Sequence, residues 1–185
     1  MGKAKKIGIG VAAVIAVLLI VVMTRPDTYH VERSKTISAA PQAVYGHVAD
    51  FQKWNDWSPW EKLDPNMKKT YGGTQGAAGA TYTWVGNDKA GAGDMTIASL
   101  EPGKRVEIDL HFVKPFEDRS KTRFKFEPEG QGTKVTWAMD GNHNFISKAM
   151  CLFMDMDKMI GTDFENGLAS LKQVSESAPA PAAAN

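Results

Sequence analysis

The chain has 185 residues, with 22 Lys and Arg against 21 Asp and Glu and a net charge of +1. Setting aside an apolar N-terminal stretch and an Ala/Pro-rich tail leaves about 148 residues, one domain able to bury roughly 70% of its unfolded surface, and this excludes an enzyme with separate cofactor and substrate modules. Lys3, Lys5, Lys6 and Arg25 flank the apolar stretch and Glu176 lies in the tail, so the domain carries 18 basic and 20 acidic residues, net −2, without the basic surplus of a nucleic-acid binder.

Residues 1–26 read as a signal-anchor segment. Ile7 to Met23 holds no charge. About 17 helical residues at ~1.5 Å each span roughly 26 Å, slightly short of a ~30 Å hydrocarbon core. Thr24 and snorkelling by Lys6 and Arg25 close that gap. A cleaved secretory signal has a shorter apolar region ending in a small-residue cleavage site, which Met23-Thr24-Arg25-Pro26 lacks. The expectation is one retained transmembrane helix. The lysines before it place the N-terminus in the cytoplasm and the domain outside, periplasmic in a cell with an outer membrane. Cys151 is the single cysteine, so no intrachain disulfide is possible.

The domain, residues 27–174, opens with a strand over Tyr29–Ile37, where β-branched and polar residues alternate. Ser38 is placed to cap a helix with Pro41 in its first turn, and Val44, Tyr45, Val48 and Phe51 share one face. The stretch WNDWSPWEKLDP (Trp54 to Pro65) predicts a second short helix or turn. Period-2 runs follow at Thr81–Val85, Gly93–Leu100, Arg105–Phe112, Lys121–Phe126 and Thr133–Asp140, separated by the turn sequences GNDKAGAG, EPGK, KPFED and EPEGQG. Such alternation suits an antiparallel sheet with one wet face. Asn144 to Val174 reads as one long helix with Ile146, Met150, Phe153, Ile160, Phe164, Leu168 and Leu171 as its stripe, weakened at Gly161 and Gly167. The tail SESAPAPAAAN (175–185) reads as disordered. The class is α+β, a curved antiparallel sheet of six to seven strands on one C-terminal helix. A helix about 10 Å wide does not fill a broad concave face, so what remains is extra packing or a cavity.

Trp54, Trp57 and Trp60 read chiefly as core anchors, with Pro59 breaking the helix so that Trp60 turns elsewhere. Met150, Met154, Met156 and Met159 suit an adaptable apolar surface or ordinary core filling. Cys151 reads as a small buried hydrophobe. The stretches GGTQGAAG and GNDKAGAG lead into strands rather than a helix and are hairpin loops, not phosphate cradles. Asp155, Asp157 and Asp163 lack the spacing of a calcium loop, and His30, His47, His111 and His143 lack metal-ligand spacing. Neither a metal nor a cofactor is expected. Asp140 and His143, at the end of the last strand, are the best polar pair and the weak candidates for acid–base work, although a turn-stabilising contact is the simpler reading.

The opening VERSKTISAAPQAVYGHVADFQKWNDWSPWEKLDP, the hairpin YTWVGN, the strand GTKVTWAMDG and the closing MIGTDFENGLASLK together resemble the START-like (SRPBCC) superfamily, in particular its bacterial polyketide cyclase/dehydrase-type members, over Tyr29 to Lys172. The resemblance implies a helix-grip fold with a hydrophobic pocket between sheet and C-terminal helix. Trp60, Tyr82, Trp84, Trp137, Met139, Met150 and Met154 are then the expected ligand-binding residues, and the partner a hydrophobic or lipid-like small molecule. Such families share no catalytic motif. Three functions stay open: a membrane-anchored lipid binder, a small cyclase or dehydratase using Asp140 and His143, and a protein-interaction module of the chaperone-assisting kind. Oligomeric state is left open as well.

Overall fold

The computed structural model describes residues 2–177, apart from the side chains of residues 3–7. Helix α1 (Lys3–Met23) precedes strand β1 (Thr28–Ile37), helix α2 (Pro41–Val48) and helix α3 (Trp54–Trp57), the last flanked by two 3-10 turns. Strands β2 (Lys68–Gly72), β3 (Thr81–Val85), β4 (Ala92–Glu101), β5 (Arg105–Lys114), β6 (Asp118–Glu129) and β7 (Gly132–Asn142) follow. Helices α4 (Phe145–Met150) and α5 (Met156–Ser177) close the chain. The seven strands form one sheet in the order β1-β7-β6-β5-β4-β3-β2, with every neighbouring pair antiparallel.

Alternation determines which face is wet. On β5, Val106, Ile108 and Leu110 are buried while Asp109 is exposed, and on β6 Phe124 and Phe126 are buried while Lys121 and Lys125 are exposed. The inner face meets α5, which buries Phe164, Leu168 and Leu171 against it. At the centre of the contact Trp137 and Phe164 stack, with centroids 4.2 Å apart and planes within 8°. Trp54 and Trp57 are buried as core anchors, their indole N–H groups donating to the carbonyls of Val48 (2.9 Å) and His47 (3.1 Å) and so fixing α3 to α2. Ser58 is extended ahead of Pro59, which ends α3 and turns Trp60 out of that face.

Four details differ from the sequence-based expectation. Strand β2 was not apparent, because its five residues KKTYG carry no apolar alternation; it is held at the sheet edge by the Gly73–Ala80 hairpin, where a side chain at Gly73 would meet the Gly79 carbonyl. Ser38 does not cap α2: Ala40 occupies that position, and the Ser38 N–H donates to Glu176 at 2.6 Å. The predicted single C-terminal helix is two. Asn144 Oδ1 accepts from the Ser147 N–H at 2.8 Å and starts α4, and Asp155 Oδ1 accepts from the Lys158 N–H at 3.0 Å and starts α5 afresh. Helix α5 also continues through Ser177, three residues into the predicted tail; the rest of that tail, 178–185, lies outside the described residues.

The glycines of α5 do not interrupt it. Gly161 faces the guanidinium of Arg33, which bonds Asp157 and Glu165 on either side, and Gly167 faces the six-membered ring of Trp137. Helix α1 contacts α4, and Val22 is buried while the other described apolar side chains of α1 are exposed. Among the described residues no helix is long and apolar enough to cross a membrane; the described side chains of α1 begin only at Gly8.

A Cβ at Gly167 would lie 2.7 Å from Trp137 Cζ3, in a ring that is stacked on Phe164. Gly to Ala inside a helix ordinarily stabilises by roughly 0.5–1 kcal/mol, but overpacking costs typically 1–3 kcal/mol. Gly167→Ala is therefore expected to lower the urea midpoint with unchanged slope; a raised midpoint would show that the indole yields.

Candidate functional site

Two chambers lie on the inner face of the sheet, the inner one under the segment from Trp54 to Met67 and the outer one under α4 and α5. The inner one, about 80 Å³, is walled by Trp54, Tyr82, Trp84, Met95 and Trp137. The outer one, about 350 Å³, is walled by Tyr29, His143, Ile146, Met150, Met154 and Asp163. Trp60, Phe112 and Met139 line both and lie at the boundary between them. The seven residues singled out in the sequence are thus distributed: Tyr82, Trp84 and Trp137 in the inner chamber, Met150 and Met154 in the outer, Trp60 and Met139 at the junction.

Phe116, Ile146, Met150, Met154 and Met159, which line the outer chamber, are exposed and form an apolar rim. Phe145 and, in the turn between α4 and α5, Phe153 (85% exposed) extend this apolar surface beyond the lining. Met150, Phe153 and Ile146 therefore do not continue the packed stripe of α5; they belong to the separately capped α4 and its turn. Helix α4 is tied to the start of β1, since Lys148 Nζ bonds Asp27 and the His143 N–H donates to the Asp27 carbonyl at 2.7 Å.

Polar groups in the walls are few. Tyr29 donates to Asp118 Oδ2 at 3.2 Å; burial, and then the Asp118 charge, push its pKa up to about 12. Tyr82 donates to Glu61 Oε1 at 2.7 Å and is raised further, by burial and then by that carboxylate. Glu61 Oε2 faces Lys69 Nζ. Burial also raises the Asp163 carboxyl in the outer chamber. Ser58 and Thr122 complete the inner wall. Reasoning from the sequence passed over Tyr29, Ser58, Glu61, Phe112, Thr122 and Asp163. The signal for Thr122 was present: it is a polar residue at an inward position of a strand whose next inward positions are Phe124 and Phe126.

Asp140 and His143 do not form a pair. Asp140 lies on the outer face of the sheet, where it accepts from His30 Nδ1 at 2.7 Å and bonds Arg123. His143 lies past the strand end against the Tyr29 ring, centroids 5.1 Å apart, with the half-buried Cys151 Sγ 4.0 Å from its Nε2. The acid–base reading that combined the two has no geometric basis. A wider polar groove of about 1000 Å³ runs over the outer face, but its charged groups are already paired: His30 with Asp140, and His111 with Asp94 at 3.0 Å. Among the described residues no group of three or more His, Cys, Asp and Glu is arranged to hold a metal.

An antiparallel sheet wrapped on a C-terminal helix, with an apolar cavity between them, is the helix-grip architecture of the START-like (SRPBCC) superfamily. Residues 28–176 match the family described as polyketide cyclase/dehydrase and lipid transport, and the chain belongs to that family. No curated protein matches it. Among solved structures it is similar to Mll3558 from Rhizobium loti (16% identity, TM-score 0.60, covering 79% of this chain and 96% of that one). It is also similar to the Aha1 dimer from Colwellia psychrerythraea (18%, TM-score 0.57, 80% and 97%) and to Ara h 8.0201 (10%, TM-score 0.56, 82% and 99%). At these identities the likeness is one of fold.

Because Tyr29 keeps its proton well above the ordinary tyrosine value of 10.0 in the folded state, its contribution to stability is complete below pH 10 and is lost as pH rises toward 12. Urea midpoints measured from pH 9 to 12 are expected to fall, and Tyr29→Phe to fall less steeply. An identical slope in the variant would assign the loss to other groups.

Proposed function

We propose that this protein binds a hydrophobic, lipid-like small molecule in the two chambers and takes it up at a membrane surface, where residues 1–26 hold the domain. The observation that carries this reading is a pair of adjoining apolar-lined chambers that share Trp60, Phe112 and Met139, the outer one edged by exposed apolar residues and the inner one walled by core tryptophans. The outer chamber alone, at about 350 Å³, is within the ordinary size range of small-molecule pockets. Each buried methylene contributes ~0.8 kcal/mol, so an acyl-like chain is retained without many polar contacts. The methionines of the rim suit chains of varied shape.

Support for the membrane side comes from the arrangement of the apolar surfaces. The exposed apolar residues of α1 and those of the α4 rim adjoin through the α1–α4 contact, and both faces are costly in water. The lysines ahead of the apolar run Ile7 to Met23 favour an N-terminus in the cytoplasm and the domain on the opposite side. With a net charge of −2, the domain has no basic surplus to draw it to anionic lipid, so in this reading attachment rests on the N-terminal segment.

Solvent extraction of purified full-length protein followed by mass spectrometry is expected to yield a co-purifying apolar compound. Consistently empty protein, with no gain in stability across a lipid panel, would overturn the reading. Phe153→Asp, at an exposed position, is expected to leave stability unchanged and to slow uptake of a fluorescent fatty acyl probe from phosphatidylcholine/phosphatidylglycerol vesicles several-fold. An unaltered rate would remove the rim from the uptake path.

A further inference from the structure

The inner chamber is apolar apart from a small set of buried polar groups. Ser58, Thr122 and Trp137, which are 1%, 3% and 1% exposed, all line it. Ser58 Oγ, Thr122 Oγ1 and Trp137 Nε1 have no hydrogen-bond partner among the described residues. They come from three elements: Ser58 follows α3, Thr122 is on β6, and Trp137 is on β7. The register pairs Phe124 with Trp137 and Thr122 with Met139, so Thr122 and Trp137 are one inward step apart on neighbouring strands.

The other buried indoles supply the contrast. Trp54, Trp57 and Trp84 donate to the carbonyls of Val48, His47 and Ala90 at 2.9, 3.1 and 3.0 Å. Of these four buried indoles only Trp137 is left without a partner among the described residues, and like Trp54 and Trp84 it lines the chamber. A buried donor without an acceptor is costly, and native proteins rarely leave one without a use. An indole N–H donates only, whereas the two hydroxyls donate or accept. The guest must therefore present an acceptor to Trp137.

Its charge is constrained as well. No Lys, Arg or His lines the inner chamber. Glu61 does, and its carboxylate is engaged by Tyr82 and Lys69. An anionic head would lie beside this carboxylate with no cation of its own, and a hydrocarbon end would leave all three groups dry. Resting on the pocket reading above, we infer that the inner chamber is a head-group site for an uncharged oxygen acceptor, a carbonyl or hydroxyl at the end of an apolar ligand, received by Trp137, Ser58 and Thr122. At about 80 Å³ the chamber takes that end and a few carbons, and the tail runs past Trp60 into the outer chamber. Water is the competing occupant, since one molecule needs only ~10–15 Å³ of such volume.

The test compares 2-nonanone, 1-nonanol, nonane and nonanoate at pH 7.5 as ligands of the full chain in nanodiscs. Wild type is compared with Ser58→Ala and Thr122→Val, two near-isosteric changes that spare the tryptophan. Affinity ratios between proteins are read for each probe, so that partition into the lipid cancels. The expected result is a roughly 3–10-fold loss of affinity for the ketone and the alcohol in each variant, with nonane unchanged, a scale set by one neutral hydrogen bond. If ketone and nonane change alike, or neither changes, the head-group site is overturned while the pocket stands. If nonanoate binds most tightly and loses most in the variants, the uncharged class is overturned. Absence of binding by every probe overturns the pocket reading and the site with it.

Discussion

The structure depends on the contact between one strand and one helix. Trp137 stacks on Phe164 and touches Trp54, Trp57, Trp60 and Phe124 edge-on or tilted, so a single indole joins the sheet, the short helices and α5. The close approach exists because position 167 carries no side chain. Helix propensity is given up there, at a cost of about 1 kcal/mol relative to alanine, and aromatic burial is gained. Gly161 makes the same exchange at the other end of the contact, where the Arg33 guanidinium lies over the helix backbone and bridges Asp157 and Glu165. Together the two glycines set how far α5 descends into the sheet, and hence how much space remains beyond its first turns.

The same geometry divides the sheet chemically. Outward residues of β1, β4, β5, β6 and β7 carry opposite charges that neutralise one another across neighbouring strands, as in Lys121 with Asp109 at 3.8 Å and Arg123 with Asp140. Exposed pairs of this kind contribute little stability each. Their effect is to keep one face wet, which leaves the other as the place where apolar surface collects. Polar groups on the inner face are then few enough that each can be related to a particular wall.

Much of this was legible in the sequence. Period-2 alternation located β1 and β3 to β7, and the spacing of Val44, Tyr45, Val48 and Phe51 located α2 and its 3-10 continuation, because one-sided burial writes itself into every second or every third to fourth residue. Strand β2 escaped because an edge strand with one neighbour has little to bury. The break at Cys151–Asp155 escaped because the apolar spacing runs on through it; only the Asn144 and Asp155 caps mark the new starts. In the site, the aromatic and methionine walls were expected from the family resemblance and Thr122 had a signal in its strand pattern, while Tyr29 and Glu61 had none, since their significance lies in which side chain is their neighbour. Asp140 and His143, three residues apart, looked adjacent in sequence and belong to different faces of the molecule.

The separate capping of α4 gives the two chambers different stiffness. The amides of Leu152, Phe153 and Met154 turn back onto the carbonyls of Ala149 and Met150, so the link joins α5's own hydrogen-bond ladder only at Asp155, whose carbonyl accepts from the Met159 N–H. Helix α4 can shift as a small unit, hinged at that link and tethered through Lys148 to Asp27, without loosening the Trp137 contact. The inner wall is built mainly from β-sheet and packed indoles, joined by the segment that carries Ser58, Glu61 and Met67, and is held more firmly. A molecule held by such a pair of compartments meets a fixed gauge at one end and an adjustable one at the other: strict selection by the chemistry of its inner end, and tolerance for the length and bulk of what trails behind.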